Sequence, residues 1–148
     1  FAVVMYVLFF KNFNAFDRIG KKNNEIRMIK TMLNKDFFIS EKIFFTENSV
    51  NFSLFNGDSI IYNFGSEFIA KRQKSVTDTF HVHVTNIKTG FSLIGNNSSP
   101  KLIDEMSFEV FDRNKQYSFS FFKQYGADIY IELEDALKNT NTIIKEKS

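Results

Sequence analysis

The first ten residues, Phe1-Ala-Val-Val-Met-Tyr-Val-Leu-Phe-Phe10, carry no charge before Lys11. An apolar run of this kind has to be hidden from water, and how it is hidden constrains everything that follows. As a helix it would be about 15 Å long, half of what a transmembrane helix of roughly 20 residues covers. Three readings are open: the C-terminal half of a transmembrane helix, a buried helix or strand of a soluble core, or the remnant of a signal peptide. Residue 1 is Phe and not Met, so the chain is expected to start part-way down its first helix. A signal remnant would be followed by small residues and a break, whereas here the helical pattern runs on.

From Phe9 the apolar positions Phe9, Phe13, Phe16, Ile19, Ile26, Ile29 and Leu33 step by threes, fours and a seven, which is one face of an α-helix. Lys11, Asp17, Arg18, Lys21, Lys22, Glu25, Arg27 and Lys30 lie between them. The segment 1–35 therefore predicts one long helix with an apolar membrane or fibre-core part over 1–16 and an amphipathic part over 17–35. Gly20 is its weak point, costing about 1 kcal/mol relative to Ala inside a helix.

Beyond Asn34-Lys-Asp36 the period changes, and 36–148 reads as one globular antiparallel β domain. Phe37-Phe38-Ile39 and Ile43-Phe44-Phe45 suggest a short turn or helix leading into the first strand. Val50, Phe52 and Leu54 then alternate with polar residues, Asn56-Gly57-Asp58 supplies hairpin chemistry, and Ile60, Tyr62 and Phe64 resume the alternation. Further strands are expected at Phe68-Ile69-Ala70, Phe80 to Val84, Met106 to Val110, Tyr117 to Phe121 and Ile129 to Leu133. Short connections make neighbours antiparallel. Gly95 to Pro100 reads as a surface loop and Asn139 to Ser148 as a loose polar tail.

The expected fold class is thus α+β, a long N-terminal α-helix packed on an antiparallel β-sheet. Twenty Phe and five Tyr with no Trp make that core one of ring against ring and ring against β-branched side chain. The formal net charge of +2 gives no field that calls for nucleic acid, and the absence of Cys removes thiol chemistry and disulfides.

The motifs that usually announce chemistry are missing: there is no Gly-rich phosphate loop, no G-x-S-x-G and no H-E-x-x-H. His81 and His83, two apart on a predicted strand, share a face and would make a first pair of metal ligands, with Asp78 the nearest carboxylate. Phe80, Val82 and Val84 occupy the other face, however, so solvent exposure is the simpler reading. Asp104 with Glu105, and Glu132, Glu134 and Asp135, lack the alternating spacing of a calcium loop. Lys71, Arg72 and Lys74 near Tyr62, Phe64 and Phe68 could touch a nucleic acid, but a charge-protected hairpin edge looks the same. No cofactor, metal or small-molecule substrate is expected, and no enzymatic activity.

A resemblance runs through Leu33-Asn-Lys-Asp36-Phe37 with Ile43, then Ile61-Tyr62-Asn63-Phe64, Phe68-Ile69-Ala70-Lys71-Arg72 and Asp78-Thr79-Phe80. In this order of elements the chain resembles type IV pilin-like proteins, most of all a minor pseudopilin of a type II secretion or competence system. Mature pilins begin with Phe and usually carry Glu at the fifth position; here that position is Met5. The resemblance implies a bacterial inner-membrane subunit, single-pass, with its β domain in the periplasm or outside. It implies assembly with other pilin-like subunits through Phe9, Phe13, Phe16, Ile19 and Ile26, with secreted cargo as a further partner. The alternative is a membrane-anchored β module of another envelope assembly that binds a partner through its sheet. A third class, a soluble β-sheet ligand binder, expects the Phe residues to line a cavity.

Overall fold

The computed structural model describes the backbone of residues 2–91 and 101–146, and the side chains of Val4, Val7, 20–91, 101–136, 138 and 139. The predicted loop at Pro100 lies outside the described residues.

Helix α1 (Ala2–Ile39) runs without a loop into β1 (Ser40–Thr46). There follow β2 (Ser49–Leu54), β3 (Ser59–Phe64), β4 (Ile69–Gln73), β5 (Val76–Phe80), β6 (His83–Gly90), β7 (Lys101–Leu102), β8 (Glu105–Asp112), β9 (Lys115–Phe122) and helix α2 (Ala127–Glu146). The strands form two antiparallel sheets, one of six in the order β5-β4-β3-β2-β1-β7 and one of three in the order β6-β8-β9.

The expectation of a long helix backed by one antiparallel sheet is therefore corrected. Sheet dominates, and it is divided in two. Short connections decide that neighbours are antiparallel, but they do not decide which hairpins share a sheet. Met106, Phe108 and Val110 on β8 and Phe119 and Phe121 on β9 are all buried, and a single helix cannot cover that much Phe surface. The second sheet folds over the first, and Phe64 meets Phe108 edge-on across the gap at 5.4 Å between ring centroids.

The C-terminal half of α1 closes this core. Ile26, Ile29, Leu33 and Phe37, spaced by three, four and four, are buried, and the helix packs against β1, β2 and β9. Phe37 meets Phe52 of the large sheet edge-on at 5.2 Å and stacks on Phe121 of the small sheet at 5.4 Å. The helix end is capped twice: the Ser40 hydroxyl donates to the Phe37 carbonyl at 3.1 Å and the Lys123 ammonium to the Phe38 carbonyl at 2.9 Å. A cation there also suits the negative end of the helix dipole.

Three local expectations change. Phe37 to Ile39 belong to α1, which ends four residues later than predicted. The expected strand Phe80 to Val84 is split, since Phe80 ends β5 in one sheet and His83 opens β6 in the other. The alternation survives, with Phe80, Val82 and Val84 buried, because both sheets face one core. Ile129 to Leu133 is the start of α2, not a strand, and the tail expected to be loose is helical to Glu146. Ile129, Tyr130 and Leu133 are also a helical face, and they join Leu102, Tyr125, Phe44 and Phe91 in a second, smaller core on the outer side of β1.

Candidate interaction surfaces

Of the predicted assembly residues, Phe9, Phe13, Phe16 and Ile19 lie outside the described side chains, and Ile26 is buried in the chain's own core. Val4 and Val7, in the apolar run, are 62% and 45% exposed. Among the described residues no helix is long and apolar enough to cross a membrane.

The candidate metal residues do not converge. His81 and His83 are both exposed, the Lys22 ammonium donates to the His81 carbonyl, and His83 Nδ1 lies 2.8 Å from Glu67 Oε1. Among the described residues no group of three His, Asp or Glu could hold a metal ion. Asp104 is buried while Glu105 points outward. Glu132 of α2 reaches Lys42 of β1 at 3.5 Å, and Glu134 reaches Lys138 within α2 at 3.3 Å, both at the surface. The basic cluster is taken apart in the same way. Tyr62 and Phe64 are buried, so neither can stack on a base, and Lys71 turns inward while Arg72 and Lys74 face solvent.

Lys71 instead joins a buried polar group that motif reading missed. Asp36 Oδ2 accepts a 2.6 Å hydrogen bond from the Tyr62 hydroxyl and lies 2.8 Å from Lys71 Nζ, whose side chain is 14% exposed. The signal was in the alternation: Lys71 stands two residues after Ile69, on the core side of β4, and a cation there requires an acid. Burial, and then the Asp36 carboxylate accepting its proton, push the Tyr62 phenol far above its ordinary value. A phenol held neutral in this way cannot serve as a base. Tyr125 is similar: its hydroxyl donates to the Ile103 carbonyl at 2.6 Å and accepts from the Ile43 amide at 3.0 Å, and burial raises it well above the usual range. Both tyrosines are structural groups tying strands and helices together.

The remaining functional geometry is at the surface. Phe38, Phe55 and Phe122 are exposed, and a 610 Å³ cleft lies between the end of α1 and the end of β9, lined by Phe38, Phe122, Lys123 and Gln124 among others. Among the described residues four strands lie at sheet edges. β7 has two residues, β6 is interrupted between Thr85 and Lys88 where Asn86 adopts φ 53°, and β9 lies against α1. β5 is the regular one, paired with β4 in unbroken register from Gln73–Val76 to Ile69–Phe80. No protein-family model matches the chain, and no curated protein or solved structure matches it significantly.

Proposed function

We propose that this chain is a non-catalytic subunit of an envelope assembly, rooted in lipid by the apolar start of α1 and presenting its β domain to a protein partner. One observation carries the reading. Ile26, Ile29, Leu33 and Phe37 bury one half of α1 in the sheets, while Val4 and Val7 of the other half are exposed. A helix half-buried in its own domain and apolar beyond it suits an element that passes from protein into a second apolar medium.

The test is flotation of the full chain with phospholipid vesicles, alongside a Val4→Asp, Val7→Asp variant. The variant is expected to stay at the bottom of the gradient with an unchanged thermal midpoint, because neither side chain belongs to the buried core. Flotation of the variant equal to that of the parent would sink the reading.

A pilin-like subunit, in which the apolar halves of α1 bundle with one another, is the second reading. What favours it is the continuity of α1 over 38 residues with Met28 exposed on its outer side. Cys placed at Gly20 and Met28 should cross-link between neighbouring copies in that case, and should not if each copy is anchored alone.

A further inference from the structure

We propose that β5 is a docking edge that accepts an extended segment of a partner protein as an added strand of the large sheet, with a basic side chain of that segment set against Asp78. The inference rests on the reading of the β domain as a presented partner-binding unit, and names the partner's form.

Backbone geometry comes first. β4 and β5 are joined by the two-residue turn at Lys74 and Ser75, and Gln73 pairs with Val76. In a hairpin of that length the residues flanking the turn form a hydrogen-bonded pair, and such pairs then alternate along the ladder. Val76, Asp78 and Phe80 therefore spend their amides and carbonyls on β4. Thr77 and Thr79 direct theirs away from it, along the free edge. These are the groups that strand addition uses. Edges are commonly blunted by Pro, by bulges or by charge; β5, with the sequence Val-Thr-Asp-Thr-Phe, has no Pro and no bulge, and its single charge is Asp78, which a partner strand has to match.

Side chains then select the occupant. Asp78 stands across from Lys71, on the core-side face of the sheet. Beside it is a 440 Å³ recess lined by Lys71, Gln73, Lys74, Ser75, Val76 and Asp78. Its two cations are already engaged, Lys71 with Asp36 at 2.8 Å and Lys74 with Asp58 at 3.6 Å. Asp78 is the charged member of the recess with no ion pair among the described residues. A partner strand with Lys or Arg at that position would supply one, and a neighbouring apolar residue two positions away would cover Val76, which is 60% exposed. A second copy is a poor occupant: antiparallel self-pairing centred on β5 sets Asp78 directly against its own copy, and like charges so placed are destabilising.

The probe is a fluorescein-labelled peptide of sequence Thr-Val-Thr-Lys-Thr-Val-Thr, compared with its Lys→Glu counterpart, titrated by anisotropy against the full chain in detergent micelles. The Lys peptide should bind more tightly by about fivefold, the size of a favourable cross-strand charge pair. Asp78→Asn should erase that preference. Thr77→Pro, which removes a free-edge amide and leaves the pairing with β4 intact, should abolish binding of both peptides without altering the circular dichroism spectrum. Equal binding of the two peptides, binding insensitive to Thr77→Pro, or self-association of the chain that Thr77→Pro removes would each overturn the proposal. Flotation reads only the apolar start of α1 and the peptide assay only the β5 edge, so failure of one is distinguishable from failure of the other.

Discussion

Asp36 lies in the last turn of α1, where the helix presents the negative end of its dipole, and it is almost fully buried. Both conditions oppose a carboxylate, so its two partners, Tyr62 and Lys71, are what permit it to stay. Asp36→Ala would leave a buried ammonium and a buried hydroxyl without an acceptor, and should cost about 3–5 kcal/mol in urea unfolding. Replacing the pair together, Asp36→Leu with Lys71→Met, should recover the part of that loss due to the ammonium, because exchange of a buried ion pair for apolar packing is often neutral. The part due to the Tyr62 hydroxyl, which still lacks its acceptor, should remain. The phenols add a pH dependence of definite sign. Tyr62 and Tyr125 are raised above 10.0 in the folded chain. Above pH 10 the unfolded chain gives up protons that the folded chain retains. Stability is then fully present below pH 10 and falls as the pH rises, by roughly 1.4 kcal/mol per unit for each tyrosine. Tyr62→Phe should be less stable at pH 7 yet lose less between pH 10 and 11; an identical slope in the parent and the variant would refute this account.

Among the elements, α2 shows most clearly what alternation can and cannot say. Ile129-Tyr-Ile-Glu-Leu133 satisfies a strand pattern at Ile129, Ile131 and Leu133, and a helical one at Ile129, Tyr130 and Leu133. The two patterns differ in which residue they leave outside, and Ile131 is the exposed one. Gly126 just before the helix, whose carbonyl accepts from the Ile129 amide at 3.2 Å, and Asp128 in the first turn were the signals to weigh. Leu133→Asp should therefore release α2 from Phe44 and Leu102 and lower helical ellipticity, while Ile26, Phe52 and Phe108 keep the main core intact. Loss of the whole cooperative transition would instead make α2 part of the main fold. Elsewhere local pattern was sufficient: the hairpin at Asn56-Gly57 falls where turn chemistry placed it, and β8 and β9 contain the strands expected at Met106 to Val110 and Tyr117 to Phe121. It was insufficient at His81 and Val82, because a strand crossing between sheets keeps its inside and outside residues and so leaves no mark on the period. The polar triad was half legible. Lys71 was visible as a cation in a strand, but its partner is 35 positions away on α1, and no periodicity reaches that far. The edge was misplaced by one strand: the charges at Lys71, Arg72 and Lys74 suggested a protected hairpin edge at β4, but β4 lies between β3 and β5, since edge or centre is decided by strand order and not by the strand's own residues.

At the scale of the whole molecule, the chain crosses between the two sheets from β5 to β6, from β6 to β7 and from β7 to β8, and what holds the sheets face to face is the core between them. That core is a chain of aromatic contacts: Phe52 with Tyr62, Tyr62 with Phe64, Phe64 with Phe108, and Phe108 with Phe119 and Phe121. Phe37 closes the circuit by touching Phe52 and Phe121 at once, so one ring of α1 contacts both sheets. Two domains that merely adjoined would unfold separately. A shared aromatic core predicts one transition, and predicts that the ring common to both halves lowers it for both. Phe37→Ala should cost about 3–5 kcal/mol, and tryptophans placed at Asn63 in the large sheet and Ser118 in the small one should report the same shifted denaturant midpoint. Phe38→Ala is the internal control. It removes a neighbouring phenyl that is 83% exposed, and should move neither probe. A variant in which the Asn63 probe melts early while the Ser118 probe holds would show that α1 serves one sheet alone.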